Sequence, residues 1–76
     1  MYDDRLYILA GNHAQYLDYI KSNHITLKTK YISKIQDVWG RSLIQVVLTG
    51  TWAMRADAFE ILGYLRAHDA IYREAY

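Results

Sequence analysis

Apolar residues in this chain cluster in short blocks, and the blocks differ in their spacing. The segments Leu6–Leu9 and Leu43–Gly50 are apolar at nearly every position, which is typical of strands buried on both faces, as in a parallel sheet. Thr26–Lys34 alternates in part and predicts a shorter strand around Lys30–Ser33, where the lysines suit a sheet edge. The segment Ala70–Tyr76 fits either a fourth strand or an extension of the preceding helix, and we favour the strand.

Two segments place apolar residues at helical spacing. Asn12 suits the N-cap of the first helix, because its side-chain oxygen can accept an unpaired backbone N–H, and Asn23 suits a left-handed stop. The second helix is predicted over Ala56–His68. Between the helices, Ile35–Ser42 fits one helical turn that ends at Gly40. On the first helix, the spacing predicts burial of Ala14, Tyr16, Leu17 and Ile20, and exposure of Gln15, Asp18 and Lys21.

The order of elements is therefore β-α-β-(short α)-β-α-(β), which is typical of an α/β fold. We predict one Rossmann-like domain over residues 1–76. Its parallel sheet has three strands in the order 2-1-3, or four in the order 2-1-3-4, and flanking helices, as in half of a Rossmann or flavodoxin fold. The segment Lys34–Ser42 is short for a crossover, so we expect one face of the sheet to be thinly covered. Exposed apolar sheet in turn predicts a homo-oligomer.

Candidate chemistry lies where the strand order reverses, at the carboxyl ends of the first and third strands. The loops Ala10–Gln15 and Thr49–Arg55 would face each other there, and each has a glycine and leads into a helix whose N–H groups favour an anion. We read the segment Thr51–Arg55 as a loop. A phosphate-containing or nucleotide-like ligand fits these loops best. The predicted ligand-binding residues are Gly11, Asn12, His13, Gly50, Thr51, Trp52 and Arg55.

Each of these residues also has an ordinary structural explanation. The two glycines fit turns that need unusual backbone angles, and Asn12 fits a helix cap. Trp52 fits a packing residue, and His13 an exposed side chain with no role. Arg55 fits a surface ion pair with Asp57, of little energetic value.

Composition removes several other classes of function. The 76 residues include no cysteine, and the three histidines are scattered, so we predict no disulfide, metal or cofactor. The net charge is +1 with no basic block, which argues against nucleic-acid binding. The apolar runs are too short to cross a membrane, and we expect a cytoplasmic protein. His13 and Asp57 are the one candidate acid–base pair, but a domain this small excludes water poorly, so catalysis is not our prediction.

The stretches "YILAGN" and "LTGTW..R.D..EI...L" resemble small bacteriophage proteins of the α/β type that are uncharacterised. The resemblance covers the first strand with its loop, and the third strand with its loop and helix, roughly half of the chain. It does not extend to residues 22–42. It implies a phage or prophage origin, the cytoplasm of a host cell and a Rossmann-like fold, with no catalytic residues to transfer. Sequestering a nucleotide signal of host defence is one use that such an origin suggests.

A second hypothesis is a protein–protein interaction module that binds and modulates a host protein. A short sheet has exposed edges, and tyrosine and tryptophan are enriched at interfaces. The chain has two tryptophans and eight tyrosines: Tyr2, Tyr7, Tyr16, Tyr19, Tyr31, Tyr64, Tyr72 and Tyr76.

Overall fold

A computed structural model describes residues 5–26, 28–40 and 44–75 of the chain. They form one sheet of four parallel strands in the order β2-β1-β3-β4, with two α-helices. This is the predicted fold, with the C-terminal segment confirmed as a strand. The elements are β1 (Leu6–Leu9), α1 (His13–Ser22), β2 (Thr29–Tyr31), β3 (Gln45–Thr49), α2 (Ala58–Ala67) and β4 (Ile71–Ala75), with short 3₁₀ helices at Ile35–Val38 and Trp52–Met54.

The central position of β1 and β3 follows from their composition. All four side chains of β1 are buried, and so are four of the five in β3. Leu6 aligns with Thr29 on one side and with Gln45 on the other, while β4 continues the sheet from β3. The edge strands β2 and β4 carry the half-buried and exposed residues. Leu43 and Tyr76, which we assigned to strands, lie outside the described residues.

Helices cover both faces of the sheet. On one face, Tyr16, Tyr19 and Ile20 of α1 pack against a buried group that includes Ile8 and Val47. The other face carries the larger core. Its buried residues are Tyr7, Leu9, Ile32, Val38, Ile44, Val46, Leu48, Trp52, Ala58, Ile61 and Leu65.

The short segment before β3 does not leave its own face thin, contrary to our expectation. Val38 is fully buried there and Ile35 packs beside it, because α2 supplies the rest of the layer. The less covered region lies on the opposite face, over β3 and β4, where Ile71 is 67% exposed. The crossover is short, but α2 compensates for it. The predicted Ser42 lies outside the described residues.

The short helix Ile35–Val38 is anchored by Asp37. Its Oδ2 accepts the backbone N–H of Ser33 at 2.8 Å, the Ser33 hydroxyl at 2.7 Å and the backbone N–H of Lys34 at 3.2 Å. Burial raises the pKa of Asp37, but these hydrogen bonds and the charge of Lys30 lower it, and the net pKa lies below the ordinary value. The ionised Asp37 side chain therefore stabilises the start of this short helix by binding the two residues that precede it.

Four local predictions need correction. The exposed side of α1 differs from the prediction, because Ala14 and Leu17 are exposed, Leu17 by 46%, and Gln15 is half-buried. The left-handed residue after α1 is His24 (φ 50°), whereas Asn23 has φ −106°. The segment from Thr51 is not only a loop, since Trp52–Met54 is a 3₁₀ helix. The second helix begins at Ala58 rather than Ala56.

Candidate functional site

The two predicted loops meet at the carboxyl ends of β1 and β3. The backbone N–H groups of Gly11 and Thr51 both donate to Oε1 of Gln15, each at 2.9 Å. The Gln15 amide nitrogen in turn donates to the Thr51 hydroxyl at 3.1 Å. We call the pair of N–H groups from Gly11 and Thr51 the oxygen cradle. One carboxamide oxygen fills it in this structure.

The start of α1 places Gln15 in that position. Oδ1 of Asn12 accepts the backbone N–H of Gln15 at 2.9 Å, so Asn12 is the predicted N-cap and Gln15 is the third residue of the helix. A glutamine at this position often turns back towards the backbone ahead of the helix. Here it reaches Gly11, one residue before the cap, and crosses to the loop after β3.

Both glycines are required by the closeness of the loops. A Cβ on Gly11 would overlap the Thr51 hydroxyl, and it would lie 2.6 Å from Oε1 of Gln15. Gly50 has φ +61°, and a Cβ there would overlap the same Gln15 side chain. A left-handed conformation disfavours other residues in any case. The glycines allow the two loops to come this close. This requirement holds whether the contact serves only packing or also binds a ligand.

Arg55 is not a free cation. Its Nη1 donates to the carbonyls of Ala10 (3.1 Å) and Ile32 (2.7 Å), and its Nη2 donates to the carbonyl of Ser33 (2.9 Å). Nε and Nη2 also donate to the two carboxylate oxygens of Asp57, at 3.0 and 3.1 Å. A guanidinium has five N–H groups, so these contacts use all of them. The side chain is 11% exposed, and it ties the ends of β1 and β2 to the start of α2.

Trp52 and His13 cannot form one stacking surface for a ligand, because Trp52 is buried and His13 is exposed. Trp52 is 7% exposed and belongs to the larger core. His13 is exposed, and its ring lies 5.4 Å from that of Tyr16 and 5.3 Å from that of Tyr31. Arg55 lies over the Tyr31 ring, 5.9 Å from its centre. The exposed ring surface at this edge is therefore formed by His13 and the tyrosines rather than by Trp52.

The proposed acid–base pair of His13 and Asp57 is not formed, since Asp57 is bonded to Arg55 and His13 contacts the tyrosine rings. Within residues 5–26, 28–40 and 44–75, no group of three or more His, Cys, Asp or Glu side chains is placed to hold a metal ion.

A groove of about 490 Å³ opens beside the cradle, between α1 and the end of β3. Gln15, whose Oε1 fills the cradle, and Gly50, which precedes Thr51, both line the groove, so the cradle lies beside it. The lining residues are Gln15, Asp18, Tyr19, Ser22, Asn23, Thr49 and Gly50.

The arrangement directs two donors at a single oxygen atom, which here is the neutral Oε1 of Gln15. Two backbone N–H groups from different loops point at one position, and the N-terminus of the ten-residue helix α1 is adjacent. Peptide dipoles at a helix N-terminus favour an anion. The Gln15 side chain has to rotate away before another oxygen can enter.

Sequence reasoning missed Gln15 as a site residue because helical spacing assigned it to solvent. The pattern Asn12-His13-Ala14-Gln15, an N-cap with glutamine three residues later, was the available signal. Tyr31 was also missed, because nothing in its local sequence shows that β2 ends beside the first turn of α1.

Comparison with known proteins identifies no relative of this chain. No protein-family model matches it, and neither a curated protein nor a solved structure is significantly similar. In the described part of the chain, neither helix has the length and apolar character needed to cross a membrane. Function is therefore inferred from the geometry of the site.

Proposed function

We propose that this protein binds a phosphate-containing small molecule, such as a nucleotide, at the carboxyl ends of β1 and β3. The oxygen cradle is the observation that carries the proposal. Two N–H groups from loops 40 positions apart in the sequence, at Gly11 and Thr51, share one acceptor at 2.9 Å each. Parallel α/β sheets bind ligands where the strand order reverses, which here is between β1 and β3.

A phosphate oxygen would replace Oε1 of Gln15 in the cradle. The exchange is favoured because a charged acceptor makes stronger hydrogen bonds than a neutral carboxamide. The bonds that Gln15 loses are partly open to water, and such neutral bonds each contribute only about 0.5–1.5 kcal/mol. In this proposal Gln15 fills the cradle when no ligand is bound, and the ligand displaces it.

The predicted site residues would have different roles in this proposal. Gly11 and Thr51 would donate to the phosphate, and Gly50 would leave space for it. Asn12 and Arg55 would hold the loops in place without touching the ligand. Trp52 would anchor the second loop from within the core. His13 would not touch the ligand, because its ring packs beside Tyr16 and Tyr31 and does not line the groove.

Calorimetry and thermal shift with inorganic phosphate, AMP and adenosine test the proposal. We expect both phosphates to bind and adenosine to bind more weakly than AMP. Gln15→Ala empties the cradle, so it should bind phosphate more tightly than the wild type by severalfold. Gln36→Ala removes an exposed glutamine on a distant turn and is the matched control. No binding of any phosphate compound to folded wild-type and Gln15→Ala protein would refute the proposal.

The biological setting is part of the same proposal. The resemblance to small phage proteins supports action in the cytoplasm of a host cell, where a binding protein without catalysis would sequester a nucleotide signal of host defence. Stoichiometric binding with no chemical change in the bound nucleotide, followed by NMR, is the expected result.

A second candidate function, a protein-interaction module, is favoured by the exposed apolar side chains. Met54 is 84% exposed, Phe59 72% and Ile71 67%. Leu17 and Trp39 are also exposed. Large exposed apolar groups are typical of surfaces that pair with a host protein or a second copy. Leu17 and Phe59 lie on helices that cover opposite faces of the sheet, so one interface cannot include both. The candidate interface is Met54 and Phe59, because the 3₁₀ helix Trp52–Met54 contacts α2. The described tyrosines are buried or half-buried.

Light scattering and capture from host lysate test this second function. We expect a homo-oligomer that Phe59→Asp dissociates, with phosphate binding unchanged. A monomer at every concentration, which also captures no host protein, would refute it.

A further inference from the structure

We infer that the groove between α1 and β3 binds the sugar of a phosphorylated sugar whose phosphate occupies the oxygen cradle. The inference rests on the proposed function and names the class of ligand for that site. The sugar can come from a free sugar phosphate or from the ribose phosphate of a nucleotide, which present the same hydroxyl groups.

The cradle and the groove are continuous. Gln15 fills the cradle with its Oε1 and also lines the groove, and Gly50 borders both. Once the Gln15 side chain rotates away, a ligand with its phosphate in the cradle extends directly into the groove. The volume of about 490 Å³ lies within the range of roughly 300–1,000 Å³ that is typical of small-molecule sites.

The lining suits a group that has both hydroxyls and an apolar face. Hydroxyl, amide and carboxylate side chains line the groove together with one tyrosine, yet most of the surface that they expose is apolar. Among the described residues, no lysine or arginine lines the groove, so a second phosphate would meet Asp18 without a cation to offset it. Neighbouring sugar hydroxyls can donate to the carboxylate and accept from the amide, while the apolar face of the sugar packs on the Tyr19 ring.

Asp18 is the residue that would recognise the sugar. It lies three residues after Gln15 on α1, so it is on the same side of the helix, about one turn further from the cradle. Within the described part of the chain, its carboxylate has no hydrogen-bond or ion-pair partner, and it lines the groove. Carboxylates accept two hydroxyl groups at once, with bonds stronger than those between neutral groups.

The test compares ligands that share a phosphate and differ in what is attached to it. Calorimetry is run with inorganic phosphate, ribose 5-phosphate, phosphoethanolamine and AMP. The proteins are wild type, Asp18→Asn and Asp69→Asn. Asp69 follows α2 and its left-handed φ of 59° is readily adopted by asparagine, so this matched control loses one exposed carboxylate elsewhere.

Wild-type protein is expected to bind ribose 5-phosphate about tenfold more tightly than inorganic phosphate. Asp18→Asn should lose most of that preference while binding inorganic phosphate as before, and Asp69→Asn should behave as wild type. The melting temperature of Asp18→Asn should not fall, because Asp18 bonds to no other described residue. AMP binding equal to ribose 5-phosphate supports a free sugar phosphate as ligand, and tighter AMP binding supports a nucleotide.

Three results would overturn the inference, and they differ in what else they overturn. If no phosphate compound binds, the proposed function fails with it. If inorganic phosphate binds but ribose 5-phosphate is no tighter, or Asp18→Asn keeps the preference, the sugar site alone fails. If phosphoethanolamine binds more tightly than ribose 5-phosphate, the groove recognises a cation through Asp18 and not a sugar.

Discussion

Replacing Arg55 by alanine is expected to destabilise the protein strongly, although arginine and aspartate two residues apart resemble a weak surface pair in the sequence. The substitution removes five hydrogen bonds at once. Three of them go to the carbonyls of Ala10, Ile32 and Ser33, and two go to Asp57. The ends of β1 and β2 and the start of α2 lose their common contact.

The expected loss is about 3 kcal/mol. Removing one member of a buried, hydrogen-bonded ion pair typically costs about 3–5 kcal/mol. The lower end applies because Asp57 is 34% exposed and water can solvate its carboxylate in the variant. For a chain of 76 residues, total stability is typically about 4–11 kcal/mol. The melting temperature should therefore fall by roughly 12–24 °C, because 1 kcal/mol corresponds to about 4–8 °C in a domain of this size.

Urea unfolding followed by circular dichroism measures the change. Arg66→Ala is the matched control, because Arg66 is exposed and its Nε donates to the Tyr72 hydroxyl at 3.0 Å. It should lose less than about 0.5 kcal/mol. Arg55→Lys should recover only part of the loss, since an ammonium has three N–H groups and cannot pair with a carboxylate in the bidentate manner. A loss below about 1 kcal/mol for Arg55→Ala would refute the assignment of Arg55 as a structural clamp.

Three further predictions follow from single features of the structure. Gly63→Ala should raise the free energy of unfolding by about 0.5–1 kcal/mol, because a Cβ there meets nothing within 4 Å. Gly50→Ala should lower it by more than about 1 kcal/mol, because Gly50 has a left-handed φ and a Cβ there overlaps Gln15. Urea unfolding of both variants checks the contrast. Asp37→Asn should lower the free energy of unfolding at pH 7. The difference from wild type should shrink as the pH falls below the ordinary carboxyl pKa of 3.8 and through the lower pKa of the folded protein. Urea unfolding at several pH values measures it, and an unchanged difference at pH 2 would contradict the assignment. Trp39→Phe should leave blue fluorescence protected from acrylamide, because Trp52 is buried, and Trp52→Phe should leave red, quenchable emission, because Trp39 is exposed.

Local sequence predicts the turn and cap residues of the candidate site. Gly11, Asn12 and Gly50 could be identified because turns and helix caps depend on neighbouring residues. The hydrogen-bond partners of the polar side chains could not be predicted in this way. Gln15 and Thr51 are 36 positions apart, and helical spacing alone assigned Gln15 to solvent. The proposed sugar-binding role of Asp18 likewise depends on the groove beside it, which only the tertiary structure shows.

The fold class and strand order were determined by the sequence. Hydrophobic blocks of strand length alternate with helical spacing, and a sheet with buried central strands admits few connections, so the order β2-β1-β3-β4 could be predicted. The tertiary structure alone decided which polar groups are free. In the sequence Arg55 fits an exposed residue that could bind an anion. In the structure, three carbonyls from two strand ends and the carboxylate of Asp57 together accept all five of its N–H groups. Local pattern specifies where the backbone goes, whereas the bonding of a polar side chain depends on which distant groups the fold brings within about 3 Å of it.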